Sequence, residues 1–205
     1  MSITSQDVQK LRAATGAGMM AAKRALEEAG GDFDKAVEVL RKKSTKLAAN
    51  KVDRVTSQGL VETYIHGGGT LGVLIEVACE TDFVARTDKF RTLAHDLAMQ
   101  VAALNPQYLT PEDVPAEVVE REKRIYTEQL KAQGKQGPMA EKIIAGKLDK
   151  FYQEVCLLKQ PFFKDDKRNV GEVITEAIAT TGENIKVKRF ARFALSGGPT
   201  VCSRA

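Results

Sequence analysis

The sequence predicts an α+β protein: a small three-helix bundle at the amino end, a linker, and an α+β core with an antiparallel sheet of about three strands and a helical hairpin. Apolar residues recur at helical spacing near the amino end and through the second half, as in Phe33, Ala36, Val37 and Leu40 at i, i+3, i+4 and i+7. The period shortens to two over residues 59–79 and again over 185–193, which marks strands. Long helical stretches separate those strand segments, so the strands are not contiguous in sequence and the helices are expected to pack to one side of the sheet. The expected division is a head over 1–42, a basic linker over 43–56, a core over 57–196 with the hairpin at about 115–158, and a tail over 197–205.

Thr4 can cap a first helix with Asp7 in its first turn, until Thr15-Gly16-Ala17-Gly18 breaks it. Met19 and Met20 open a second helix that buries Ala22, Ala25, Leu26 and Ala29 and ends at Gly30-Gly31; Asp32 caps the third. Read alone, the methionine pair fits either a helix-start core contact or an adaptable surface contact. The segment from Arg41 to Arg54 carries six basic residues against Asp53 and few large apolar side chains, as expected of a solvated, partly helical connector.

Val61, Thr63 and Ile65 alternate with Glu62 and Tyr64, Gly67-Gly68-Gly69 turns the chain, and Leu71 to Ala78 form a second strand. The glycine triplet is not a phosphate loop, because no Gly-Lys-Ser/Thr follows and the next element is a strand. At Thr81-Asp82-Phe83-Val84-Ala85-Arg86 that strand ends and a long helix is about to begin, with Phe90, Leu93, Ala94, Leu97, Ala98 and Val101 on its apolar stripe. An aromatic at such a junction either folds back into the core or points at a partner. Thr110-Pro111-Glu112 and Pro115 lead into a helix through Leu130, Gly134-Gly137-Pro138 interrupt, and a second helix runs through Val155: a helical hairpin. Asn169 and Glu172 form a capping pair for the last helix, Gly182 stops it, and Ile185 to Phe193 form a closing strand.

The chain has 205 residues, 43% hydrophobic and 28% charged, with 31 basic against 27 acidic side chains. This is ordinary globular composition and does not demand a nucleic-acid partner. No apolar run approaches the roughly 20 residues that span a bilayer, and no signal pattern opens the chain, so a cytoplasmic location is expected. Cys79 and Cys156 lie in apolar stretches and read as buried hydrophobes; Cys202 lies in a Gly-Gly-Pro tail expected to be mobile, which leaves an adventitious or intersubunit disulfide open. His66 and His95 read as a turn residue and a helix-surface residue.

No nucleophile elbow, zinc motif, acidic metal cluster or Cys/His constellation appears, so the reading is not an enzyme, with no catalytic residue, no metal, no cofactor and no direct small-molecule ligand. Lys186, Lys188 and Arg192 around Phe190 suggest an RNA platform only weakly, because one aromatic on a face is too few. The residues alone give a two-part interaction protein with an unnamed partner.

Four stretches carry a resemblance: Thr15 to Met20, Thr81 to Arg86, Leu157-Leu158-Lys159-Gln160-Pro161-Phe162, and Gly182-Glu183-Asn184-Ile185 leading to Arg189-Phe190. In this order they resemble bacterial-type translation elongation factor Ts in its short form. The resemblance implies a head similar to ubiquitin-associated domains and a guanine-nucleotide exchange factor that binds elongation factor Tu·GDP, disturbs its Mg²⁺/phosphate site and promotes GDP release. It implies partner-binding roles for Thr81, Asp82, Phe83 and Val84, with Phe83 inserted between helices of the partner's nucleotide domain, and for Arg12, Met19 and Met20 in the head. Long members carry a duplicated core and only one copy fits here, so a homodimer and a 2:2 complex are expected, with Ile185 to Phe193 and the hairpin as interface. The alternative is a non-catalytic RNA-binding or ubiquitin-fold-binding adaptor.

Overall fold

Helix α1 (Ser5–Thr15) begins where the Thr4 hydroxyl accepts from the Asp7 N–H at 3.2 Å and the Asp7 carboxylate accepts in return from the Thr4 N–H at 2.9 Å, a reciprocal cap. It ends at Gly16, whose φ of 67° lies in the left-handed region that glycine enters without strain. Helix α2 (Met19–Glu28) and helix α3 (Phe33–Ala49, capped by the Asp32 carboxylate) complete a bundle around Val8, Leu11, Ala22, Ala25, Leu26, Ala36 and Leu40. Alanines fill much of this core, so the helices can approach closely, and little large apolar surface is needed. Helix α3 continues to Ala49, through the first half of the segment expected as a connector, with Lys43 and Lys46 on its exposed side.

Strands β1 (Gln58–His66) and β2 (Leu71–Cys79) follow, then a one-turn helix α4 (Asp82–Ala85) and helix α5 (Asp88–Leu104). Helices α6 (Ala116–Ala132) and α7 (Pro138–Val155) form the hairpin; β3 (Pro161–Phe162) and β4 (Asp165–Asn169) make a small antiparallel ribbon; α8 (Val170–Thr181), β5 (Lys186–Ala194) and β6 (Thr200–Ser203) close the chain. The computed structural model describes residues 3–195, 197–198 and 200–203. By internal packing the chain forms two compact units, one of Met1–Leu60, Ala78–Leu93 and Glu172–Lys186, the other of Val61–Val77, Ala94–Gly171 and Val187–Ala205. Among the described residues no helix is long and apolar enough to cross a membrane.

The fold is the expected α+β one, with a four-stranded antiparallel sheet in the order β1-β2-β5-β6. The expectation of about three strands falls short by one, because the Gly-Gly-Pro composition of the tail carries no strand signal. Gly197 turns the chain, its N–H reaching the Ala194 carbonyl at 3.2 Å, and β6 then pairs antiparallel with β5, placing Cys202 opposite Phe190 and Val201 opposite Ala191. Cys202 is therefore buried rather than mobile, like Cys79 and Cys156. Burial pushes the Cys79 thiol up and the Cys156 thiol up to about 12, so neither is a reactive thiolate at neutral pH. Arg204 and Ala205 of the tail lie outside the described residues.

Two further departures have local causes. The Thr110 cap is real, its N–H and hydroxyl both donating to Asp113 at 2.9 and 2.8 Å, but it starts a single 3-10 turn over Pro111–Asp113. Helix α6 starts later, with Pro115 at its cap. In β5, Val187 and Phe190 are both buried although their parity differs, so each face of the strand is covered somewhere along its length.

The second unit has a polar centre. Gln100 on the α5 stripe and Gln160 after the hairpin are both fully buried. Gln100 Nε2 donates to Gln160 Oε1 at 3.2 Å and to the Pro161 carbonyl at 3.1 Å, while its Oε1 accepts from the Phe163 N–H at 2.9 Å. Gln160 Nε2 donates to the Leu104 and Glu154 carbonyls at 3.3 and 2.9 Å, and its carbonyl accepts from the Val170 N–H. The two side-chain amides thus tie α5, the end of α7 and the β3–β4 ribbon, and the Gln160 backbone carbonyl adds the start of α8. Each buried group left without a partner costs about 1–3 kcal/mol. Replacing Gln160→Leu is expected to cost at least about 2 kcal/mol in urea unfolding with an unchanged m value; stability equal to the parent's would show that the network holds nothing.

Candidate functional site

The junction after β2 is built on two threonine caps in succession. Thr81 is extended (φ −124°, ψ 157°) and its hydroxyl accepts from the Val84 N–H at 3.4 Å, starting α4. Thr87 repeats the device, accepting from the Phe90 N–H at 3.3 Å at the start of α5, and its own hydroxyl donates to the Val84 carbonyl at 2.8 Å. The single turn buries Ala85 at its inner side; at 100° per residue Phe83 lies about 200° away, on the outer side. Phe83 is 81% exposed, the most exposed large hydrophobic side chain of the described residues. Phe90, seven residues on, is 1% exposed. The alternative left open by the sequence is thus decided: Phe83 does not fold back.

Asp82 holds Arg86 across the turn at 3.0 Å, an ion pair exposed enough that it orients more than it stabilises. Val84 is half-buried. In the head, Met19 and Met20 are 45% and 58% exposed and Arg12 is exposed, while Ala22, Ala25 and Leu26 take the inner side of α2. The methionine pair therefore belongs to the surface. Thr15 and Gly16, at the turn just before the pair, and Lys89 and Phe90, just after the junction, line one recess of about 220 Å³ in the first unit.

Sequence reasoning missed what lies under the junction. The Glu183 carboxylate accepts from the Glu80 and Thr81 N–H groups at 3.1 and 3.0 Å and from the Thr81 hydroxyl at 2.5 Å. Glu80 returns the arrangement, its carboxylate accepting from the Asn184 N–H at 2.6 Å and pairing with Arg54 at 3.5 Å. The buried Asn184 amide donates to the Val52 and Arg54 carbonyls at 3.2 and 2.9 Å, and Lys51 Nζ donates to the Gly182 carbonyl. Gly182 to Ile185 carried only a family signal in the sequence; partners about a hundred positions apart leave no periodicity to read.

Other candidates fall away. Among the described residues no group of His, Cys, Asp and Glu is arranged to hold a metal ion. His95 is exposed beside Glu62 at 3.4 Å, and His66 meets the Tyr64 hydroxyl at 2.9 Å, as turn and surface residues. Phe190 is buried, and Arg192 donates to the Ala102 carbonyl at 3.3 Å, so the suggested RNA platform has no aromatic to stack on.

What the surface of the described residues does present is an exposed aromatic on a capped turn and an exposed methionine pair in the head. The sequence pattern of the family described as Elongation factor TS matches residues 5–196. The chain belongs to the elongation factor Ts family. It is 57% identical over 196 residues to elongation factor Ts of Moorella thermoacetica, covering 96% of this chain and 97% of that one. It is 54% identical to the Carboxydothermus hydrogenoformans protein over 96% and 90% of the two chains. For the Thermotoga petrophila protein the figures are 52% over 97% and 98%. Elongation factor Ts is the nucleotide exchange factor of elongation factor Tu in translation elongation, and it is not an enzyme. Strand β6 lies beyond the residues that the family pattern matches.

With so little of its ring buried, Phe83 contributes little to the fold. Phe83→Ala is expected to change stability by no more than about 0.5 kcal/mol, whereas Phe90→Ala is expected to cost about 3–5 kcal/mol. Calorimetry on the two variants checks this; a large loss in Phe83→Ala would mean that the ring packs on its own chain in solution.

Proposed function

We propose that this elongation factor Ts acts through the Thr81–Val84 turn, with Phe83 inserting between helices of the nucleotide domain of elongation factor Tu·GDP in the cytoplasm and disturbing the Mg²⁺/phosphate site. Asp82 orients the insertion. Arg12, Met19 and Met20 hold the same domain from the head, which functions as a docking module, while the core carries the wedge. The single observation that supports this most is a phenylalanine 81% exposed on a turn whose backbone is capped.

An exchange factor activates no leaving group. It binds the nucleotide-free conformation of its partner more tightly than the nucleotide-bound one, and linkage weakens GDP by the same factor. Moving a two-state equilibrium from 1:99 to 99:1 takes about 5.5 kcal/mol, whereas burying one phenylalanine gives about 1.5–3 kcal/mol. The wedge therefore needs the head contacts. Adjacent exposed methionines, flexible and polarisable, suit such a contact.

The reading includes a homodimer and a 2:2 complex. The sheet supports it: Val61, Ile65, Leu74, Phe193 and Val201 are all exposed, and Val61, Leu74, Ala191 and Val201 border one shallow recess of about 280 Å³ with the Glu76–Arg189 ion pair. Ile65 lies over Gly72, where an added Cβ would approach its Cδ1 to 3.2 Å, which puts β1 and β2 side chains on one apolar face. A face of this kind is normally covered. We take it, with β5 and the helical hairpin, as the surface between two copies.

Stopped-flow release of a fluorescent GDP analogue from elongation factor Tu tests the activity. The parent chain is expected to accelerate release; Phe83→Ala should reduce the acceleration about 10- to 100-fold, the loss of one buried ring. No acceleration by the parent ends the reading, and capture of RNA in its place, with steep salt dependence, favours the adaptor alternative.

Sedimentation tests the assembly. A dimer is expected at micromolar concentration, with Leu74→Glu shifting it to monomer and leaving the helical content unchanged. A monomeric parent would count against the shared sheet face.

A further inference from the structure

The helix that carries Phe83 has four residues, too few to sustain itself, since the first turn of a helix fixes several dihedrals for one hydrogen bond. Its geometry is borrowed from the Thr81 cap. The Thr81 hydroxyl has a single proton, and that proton goes to Glu183 Oε1 at 2.5 Å. Its lone pairs are then turned toward the Val84 N–H. The other Glu183 oxygen takes the N–H groups of Glu80 and Thr81, two consecutive donors that would point to opposite sides if the strand continued. Their convergence on one atom fixes where the chain leaves the sheet. Glu183 is itself held, because Gly182 before it accepts from Lys51 and Asn184 after it is buried and bonded to Val52, Arg54 and Glu80.

We infer that Glu183 is a positioning residue for nucleotide exchange: its carboxylate orients the Thr81 hydroxyl and the two preceding amides, and through them the direction in which Phe83 leaves the surface. This rests on the reading of Phe83 as the inserted side chain. In this role Glu183 acts through Glu80 and Thr81 rather than by its own contact with the partner. Hydrogen bonds to an ionised acceptor are about twice as strong as neutral ones, which suits an acid rather than an amide at this position. Removing the charge leaves Thr81 free to rotate its hydroxyl, and the turn then samples orientations in which the ring meets its slot at the wrong angle. The head contacts are unaffected, so the encounter with the partner proceeds and its productive completion suffers.

The test measures GDP release at increasing factor concentration for the parent, Glu183→Gln, Phe83→Ala, the double variant, Thr81→Ser and Thr81→Ala. Glu183→Gln is expected to lower the maximal release rate about tenfold while the half-saturating concentration stays within about twofold, the pattern of an interaction used after binding. Adding Phe83→Ala to Glu183→Gln is expected to remove less than Phe83→Ala removes from the parent, since both act through one turn. Thr81→Ser keeps the hydroxyl and is expected to retain more of the maximal rate than Thr81→Ala, which is expected to fall to the level of Glu183→Gln. The threonine pair also answers the question from the other side of the bond if Glu183→Gln melts far below the parent. A parent-like maximal rate in a folded Glu183→Gln, fully multiplicative losses, or equal impairment in Thr81→Ser and Thr81→Ala would each overturn the inference. If Phe83→Ala itself releases GDP like the parent, the wedge reading falls first and takes this inference with it; a slow Phe83→Ala beside a normal Glu183→Gln removes the inference alone.

Discussion

A large apolar side chain displayed to water cannot be held in place by its own packing, so something polar must hold the backbone beneath it. Here the Glu183 carboxylate does so, gathering three donors from Glu80 and Thr81 at 2.5–3.1 Å. The strand end and the one-turn helix meet at that point, and Thr87 repeats the cap six residues later. The clasp is reciprocal: Glu80 binds back to Asn184, whose side chain in turn secures the carbonyls of Val52 and Arg54. Three segments distant in sequence are fixed with almost no apolar burial at the contact itself. The arrangement is stiff where packing alone would be adaptable.

The second unit solves a related problem in its interior. Gln100 and Gln160 put two amides into a buried region, and their bonds reach the end of α5, the end of α7 and the β3–β4 ribbon. Apolar side chains of similar size could fill the space but would specify the mutual register of α5, α7 and the ribbon less sharply. Each polar centre fixes segments within its own unit, while the surface carries the methionines of α2 and the sheet face.

Much of the fold was legible because its signals are local. Thr4 with Asp7, Asp32, and the stripe from Phe90 to Val101 each announce an element within a few residues, and α1, α3 and α5 lie where those signals put them. What the sequence hid was non-local or contradictory at short range. Thr110 caps as its spacing says, yet Pro115 forces the helix to begin again. The tail has the Gly-Gly-Pro composition of a loop, and only the open edge of β5 makes a strand of Thr200–Ser203. At the candidate site, periodicity could say that Phe83 sits at a junction but not which way it points. The answer depends on Ala85 turning inward and on an acid about a hundred residues away, neither of which leaves a pattern in the window around Phe83.

The hairpin break has a practical side. Gly134 and Gly137 both take positive φ, at 71° and 74°, and the residues around them are exposed, while Leu130 and Leu148 below are buried and Lys147 reaches across to Gln129 at 2.9 Å and over the Tyr126 ring at 5.1 Å. The two helices are thus joined by side-chain contacts as well as by the loop. Trypsin cutting after Lys135 would leave the helices paired, and the same peptide bond is a natural place to open the chain for circular permutation or to insert a reporter domain.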